Sequence, residues 1–232
     1  LNISEKKNEL NNRESRESVP YPWQGLNKKL HGLRRGELMT LTGGTGLGKS
    51  SVTRELEHWL ITNTEDNVGI IGITDIDEIF SKLRFLIIGC SCKWVVVDHL
   101  HMLVSAMSDG DERRAIDNIM TRLRSIVEET GAGLILVSHL RRVDGNRGHE
   151  NGISVSLSHL RGSQSIAQLS DCVIALERDQ QSDDPNEANT THMRVLKSRY
   201  TGDVGMATHL LYDRDTGRLN ETFPQDDTEI EL

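Results

Sequence analysis

The sequence predicts an α/β fold built on a mostly parallel central sheet flanked by helices. Three observations lead there. Strand-length apolar runs alternate with helically spaced segments along most of the chain. Two of the runs, Trp94 to Val97 and Leu134 to Val137, are continuously apolar, as strands covered on both faces must be. A glycine-rich turn, Gly43 to Gly48, stands between a short strand and a helix. The 232 residues suffice for one substantial domain but not two large ones, because domains usually run to roughly 100–200 residues.

Taken in order, residues 1–20 read as a linker or subunit-contact segment, with Ile3 and Leu10 as its few apolar anchors. Pro20 and Pro22 bracket a turn before the body begins. Leu38 to Thr42 reads as a strand, Lys49 to Ile61 as a helix and Val68 to Ile71 as a buried strand. Ile76, Ile79, Phe80, Leu83 and Ile87 share one side of a helix over Asp75 to Ile88. Asp111 to Thr130 is a long amphipathic helix, and Arg141 to Gly152 is a polar, glycine-rich loop. A short helix over Ser163 to Leu169 precedes strands at Cys172 to Leu176, Met193 to Leu196 and Ala207 to Tyr212.

Net charge is −8, which excludes a uniformly basic protein that coats nucleic acid, though not a basic lining inside an acidic body. Residues 221–232 carry five acids and no base, and residues 220–232 read as an acidic tail that either solubilises the chain or docks a partner. Cys90, Cys92 and Cys172 are an odd count without metal-type spacing, which predicts a reducing, cytoplasmic setting. No apolar run approaches the ~20 residues needed to cross a bilayer, so no membrane partner is expected.

Gly43-Gly44-Thr45-Gly46-Leu47-Gly48-Lys49-Ser50 matches G-x-x-x-x-G-K-[ST] at every fixed position. Glycines let backbone N–H groups turn toward phosphate oxygens, and the following helix adds partial positive charge. Gly43, Gly46, Gly48, Lys49, Ser50 and Ser51 are therefore the candidate nucleotide-binding residues. Lys49 reaches β- and γ-phosphates and Ser50 ligates Mg²⁺. The strand Trp94 to Val97 ends in Asp98, a second Mg²⁺ candidate; taken alone, an acid there is a helix cap. His139 ends the next strand and is either structural or a sensor of the γ-phosphate. His99 and His101 read as structural.

These motifs, with Leu160-Arg161-Gly162-Ser163, Gln168-Leu169-Ser170-Asp171 and Lys197-Ser198-Arg199-Tyr200-Thr201-Gly202-Asp203, resemble the DnaB-type hexameric replicative helicases. The likeness covers about residues 21–219. It is greatest to the helicase half of the phage T-seven-type helicase-primases and more distant to mitochondrial Twinkle. The resemblance implies a RecA-like P-loop NTPase core, assembled as a homo-hexamer with nucleotide between neighbours. It implies Mg²⁺, with ATP or dNTP hydrolysed to translocate on single-stranded DNA and unwind fork DNA. It makes His139 the γ-phosphate sensor and Arg199 the arginine finger for the neighbour, an arginine without an obvious partner in its own subunit. Arg178 and Tyr212 would pack on the base, Gln168 would couple nucleotide to DNA, and Arg141, Arg147 and Gly162 would lie in DNA-binding loops. It also makes the acidic tail a docking segment for a replicative DNA polymerase, in the cytoplasm of an infected bacterium if the chain is phage-encoded.

One departure stands out. The family places a catalytic Glu at the end of the strand after the P-loop helix, followed by further helical structure. Here Val68-Gly69-Ile70-Ile71 runs into Gly72-Ile73-Thr74-Asp75, and Ile73 to Lys93 leaves room for one crossover helix. Asp75 and Glu78 read as ordinary helix-start acids. No primase zinc motif is present, so primer synthesis is not expected. The alternatives are a RecA-like strand-exchange ATPase and a nucleotide-binding ring without turnover.

Overall fold

Alternate residues of the central strands face opposite ways, and both sets are apolar. Val95 and Val97 of one strand pack with Leu38, Leu134 and Leu136 on one face. Trp94 and Val96 pack with Met39, Leu41 and Ile135 on the other. Such strands must be covered twice, and helices do so. The computed structural model describes residues 17–72, 76–100, 109–140, 152–160 and 164–222.

The chain runs β1 (Ser18–Val19), α1 (Gln24–Leu30), β2 (Leu33–Arg34), β3 (Leu38–Gly43), α2 (Lys49–Asn63) and β4 (Asn67–Gly72). It continues through α3 (Ile76–Arg84), a π-helical turn (Phe85–Gly89), β5 (Cys92–Asp98), α4 (Asp109–Thr130) and β6 (Gly133–His139). After a 3₁₀ turn (Leu157–His159) come α5 (Gln164–Leu169), β7 (Cys172–Glu177), α6 (Pro185–Asn189), β8 (Thr190–Ser198), β9 (Gly205–Tyr212) and β10 (Leu219–Thr222). The main sheet has the order β10-β9-β8-β7-β3-β6-β5-β4. Strands β7, β3, β6, β5 and β4 are parallel, whereas β8, β9 and β10 extend the sheet as an antiparallel meander. No helix among the described residues is long and apolar enough to cross a membrane.

Helix α2 covers one face through Val52, Leu56 and Leu60, spaced four apart. Helix α4 covers the other through Ile116, Ile119, Met120, Leu123, Ile126 and Val127. The expected helix to Ile88 is shorter: α3 stops at Arg84 and the chain widens into the π turn. Ile79, Phe80 and Leu83 are buried as the spacing predicts. Beyond them the apolar run Phe85-Leu86-Ile87-Ile88 splits, with Leu86 and Ile87 against the core and Phe85 and Ile88 exposed.

Both sequence-drawn termini of the body need correction. Ser18 and Val19, placed in the leading linker, pair antiparallel with Arg34 and Leu33. Glu221, placed in the acidic tail, lies in β10 and is a structural acceptor. Its carboxylate takes N–H bonds from Gln24 (2.7 Å) and Gly25 (2.8 Å) and the Thr208 hydroxyl (2.6 Å). Beside it the Trp23 indole N–H donates to Leu219 O at 3.2 Å, so α1 and β10 clasp.

Candidate nucleotide-binding site

Strand β3 delivers the chain to the carboxyl edge of the parallel strands, where ligands bind in open α/β sheets. The turn that follows needs left-handed backbone at Gly46 (φ 77°) and Gly48 (φ 86°), which glycine adopts without strain. Gly48 then caps α2, and its carbonyl accepts the Val52 N–H at 2.9 Å. Lys49 begins the helix with its side chain folded back into the loop. Its Nζ donates to Gly43 O (2.9 Å) and Gly44 O (2.7 Å), at the mouth of the site that phosphates would enter. Burial lowers its pKa to about 8, with the negative charge of Asp98 opposing the shift. The Ser50 hydroxyl donates to Asp98 Oδ2 at 3.1 Å. A hydroxyl and a carboxylate in contact are hard oxygen donors of the kind Mg²⁺ takes, so the residues present fit that ion.

His139 ends β6 directly beside Gly43 in the β3–β6 register, and Thr42 Oγ1 donates to Ser138 O at 3.2 Å across the same pair. The His139 ring stands edge-on to His99, centroids 4.2 Å apart. His99, predicted as structural, is thus a neighbour of the sensor candidate, and burial holds its pKa below the usual imidazole value. His101 lies outside the described residues.

Tyr212 lines a pocket of about 310 Å³ beside the P-loop helix with Ser51, Arg54, Glu55, His58, Gly217 and Arg218. Buried Glu55 fixes its wall by accepting from Arg218 Nε (2.8 Å) and Leu219 N (3.2 Å). Arg178 stands against the loop itself: its Nη2 donates to Gly46 O at 3.0 Å, and Gln180 Nε2 reaches the same oxygen at 2.9 Å. Sequence reading missed Gln180, and also Glu57, a partly buried acid two turns along α2. Burial and then the charge of Asp98 raise the Glu57 pKa. Helical spacing from Ser50 was the available signal.

At the register position opposite Asp98 stands Gly72, the last residue of β4, where among the described residues a Cβ would meet nothing within 4 Å. Among the described residues, no carboxylate occupies that strand end. Asp75 lies outside the described residues, and Glu78 is exposed and pairs with Lys82 at 2.6 Å.

Arg199 lies at the opposite edge. The β7–β8 register sets Ser198 against Cys172, and Met39, near the start of β3, against Cys172 as well. The six residues of β3 separate that edge from the P-loop by about 17 Å at ~3.3 Å per residue. Arg199 cannot serve its own P-loop from there. Contrary to expectation it has partners in its own subunit: Nη1 donates to Asp171 Oδ1 (2.9 Å) and Nη2 to Gln168 O (3.0 Å). Lys197 Nζ donates to the carbonyls of Ala167 (2.7 Å), Gln168 (3.1 Å) and Ser170 (2.6 Å) at the end of α5. The Gln168 side chain is exposed. Arg141, Arg147 and Gly162 lie outside the described residues.

Residues 72–221 match the family described as DnaB-like helicase C terminal domain. The chain is 32% identical to a DNA helicase/primase of Enterobacteria phage T3, over 84% of this chain and 44% of the phage protein. It thus spans under half of that relative. The aligned length of 253 residues exceeds the chain's 232, so the relative carries residues with no counterpart here. Among solved structures, the ATPase domain of the protein G-forty-P superposes with TM-score 0.73 at 17% identity, covering 95% of this chain and 97% of that one. A DnaB-like replicative helicase solved for its interactions with primase gives 0.65 at 17%, covering 94% and 65%. A KaiC-like protein of Pyrococcus horikoshii gives 0.66 at 14%, covering 90% and 100%. These structures share the RecA-like ATPase fold.

Proposed function

Because the chain belongs to the DnaB-like helicase C-terminal-domain family, we propose that it is the motor of a replicative DNA helicase. It hydrolyses ATP or dNTP to move along single-stranded DNA and unwind duplex at the fork, as a homo-hexameric ring. The observation that carries this reading is the P-loop with buried Lys49 and the Ser50–Asp98 contact at the carboxyl edge of the sheet.

Each residue then has a task. Lys49 leaves its two carbonyl partners for the β/γ-phosphate oxygens and neutralises their charge. Ser50 and Asp98 would hold Mg²⁺, which when bound would offset phosphate charge. His139 hydrogen-bonds the γ-phosphate and passes its presence to the loop beyond. Tyr212 and Arg178 pack on the base, Tyr212 through its aromatic face, and Arg178 also braces the P-loop at Gly46. Arg199, remote from its own P-loop, serves the neighbour's γ-phosphate. Gln168 couples nucleotide to DNA, which Arg141, Arg147 and the loop at Gly162 contact in the ring's channel. The acidic residues beyond Thr222 offer a surface to a replicative polymerase, in the cytoplasm of an infected host.

Nucleotide-dependent separation of a forked duplex tests the reading; a ring that hydrolyses nucleotide on single-stranded DNA without ever separating a fork would defeat it. The loop assignment has its own measurement. Arg147→Ala should lower the slope of log affinity against log salt by about 0.7 on single strands, and an unchanged slope rejects the contact. Gly72 opposite Asp98 favours a second reading, a ring that binds nucleotide without turnover. Steady-state phosphate release on single-stranded DNA separates the two.

A further inference from the structure

At the edge of the sheet away from the P-loop, a buried acid stands where four segments converge. Asp171 precedes β7 and is 7% exposed. Its main chain and side chain grip the first residue of β3 together: Asp171 N–H donates to Leu38 O (2.8 Å), and Asp171 Oδ2 accepts the Leu38 N–H (2.9 Å). The same residue grips Arg199 in the same double manner. Its carbonyl accepts the Arg199 N–H at 2.8 Å, and its Oδ1 accepts Arg199 Nη1 at 2.9 Å. Oδ2 also accepts from Arg124 Nη1 of α4, and Arg124 is itself paired with Glu128 at 2.6 Å.

Resting on the reading of Arg199 as a finger for the neighbouring subunit, we infer that Asp171 is the positioning residue that aims it. The argument is one of freedom. An arginine side chain has many rotamers, and an untethered one loses that freedom when it meets a phosphate. Here two guanidinium nitrogens are anchored, Nη1 on Asp171 and Nη2 on Gln168 O, while half of the side chain remains open to solvent. The fork is fixed from behind and open in front. Arg124 holds the carboxylate against rotation, so the anchor does not follow the finger. The base of this mount is the first residue of the strand that ends in the P-loop. The finger offered to one neighbour is therefore set on the same rigid strand as the subunit's own nucleotide site. A misplacement of about 1 Å in a positioned charge can cost 10²-fold in rate, which sets the scale of the expected effect.

Mixed rings test this, because positioning acts only on the subunit that donates the finger. Rings of Lys49→Ala subunits, which keep the finger, and Arg199→Ala subunits, which keep the P-loop, should recover hydrolysis where the two good halves meet. Adding Asp171→Asn to the Lys49→Ala donor should lower that recovered kcat by about tenfold to hundredfold with KM for nucleotide unchanged. Adding it to the Arg199→Ala partner should leave the recovery as it was. Equal losses in both places would mean a merely structural role and overturn the proposal, as would no loss in the donor or a faster donor, the mark of a finger held back. If Asp171→Asn subunits fail to enter rings, Asp171→Glu keeps the charge and moves it by one methylene. It should show the same donor-only loss, and undiminished recovery with the Glu donor would overturn the proposal. If the parent mixture never recovers hydrolysis, the trans-acting finger itself is wrong and the proposal falls with it.

Discussion

The two edges of the parallel strands are built on different principles. At the carboxyl edge, the phosphate loop is eight consecutive residues shaped by two left-handed glycines, and Lys49 finds its partners five and six residues back. At the amino edge, Arg199 is fixed by an acid 28 residues away, and that acid is fixed by residues 47 and 133 positions distant. The first site is a local motif that the fold only has to present. The second exists only once β3, β7, β8 and α4 are packed. In the proposed ring, with Arg199 as the finger for its neighbour, neither edge is a complete catalytic centre, and each needs the opposite edge of a neighbour.

The largest expected effect breaks the comparison at the amino edge. Arg199→Ala should bind nucleotide with near-normal affinity yet lose turnover by about 10³–10⁵-fold, if this finger behaves as others do. Normal hydrolysis would leave Arg199 as a surface residue capping α5. Lys49→Ala acts at the carboxyl edge and should cost at least about 10³-fold in hydrolysis, because no solvent ion replaces a fixed ammonium there. Unlike the finger variant, it should also weaken nucleotide binding. Residual activity within tenfold of the parent would sink the site.

Gly72→Glu sharpens the comparison in the opposite direction. A side chain at Gly72 meets none of the described residues within 4 Å and lies opposite Asp98, so the variant should fold. If no other base serves the site, phosphate release should rise by about 10²-fold or more, the usual contribution of a positioned general base. No gain would point to a base supplied from elsewhere. The smallest effect lies outside both sites, on the antiparallel extension. His192 and His209 face each other across β8 and β9 with Nδ1 atoms 2.5 Å apart. Burial, then His209, lowers the His192 pKa, opposed by Glu177 and Glu187 and aided by Arg194. The unfolded chain therefore takes up a proton that the fold resists, and stability should fall as pH drops through about 6.5. Since His192 is only half-buried, the term should be about 1 kcal/mol or less. His192→Gln should flatten the urea midpoint between pH 7.5 and 5.5, and an unchanged slope would acquit the pair.

This difference between edges is also why sequence carried one site and only hinted at the other. Gly46, Gly48, Lys49 and Ser50 declare a phosphate loop because their spacing is itself the structure. Asp98 and His139 followed from strand ends, which apolar runs mark well. Nothing near Arg199 in sequence names Asp171, because their contact depends on antiparallel pairing of β7 with β8. Trp23 at the cap of α1 and Leu26 and Leu30 within it are apolar at helical spacing, a signal the sequence does carry. Strand β10 hides in acidic company, and Glu221 cannot be told from tail acids until Gln24 and Gly25 stand next to it. The end of α3 at Arg84 comes from a four-residue apolar run in which periodicity names no preferred face.

The clasp between α1 and β10 has a consequence for the order in which this domain is made. Gln24 and Glu221 are 197 residues apart, so helix α1 leaves the ribosome long before the strand that gives its N–H groups their protein partners. Until then they are satisfied by water, and Trp23 has no carbonyl for its indole. A nascent chain can close the parallel strands early, since β3 through β7 are all translated by Glu177, but the meander that seals α1 follows behind them. A ribosome stalled short of Thr222 would hold a chain with a formed centre and an unlatched edge, and release of β10 would be the event that locks the domain shut.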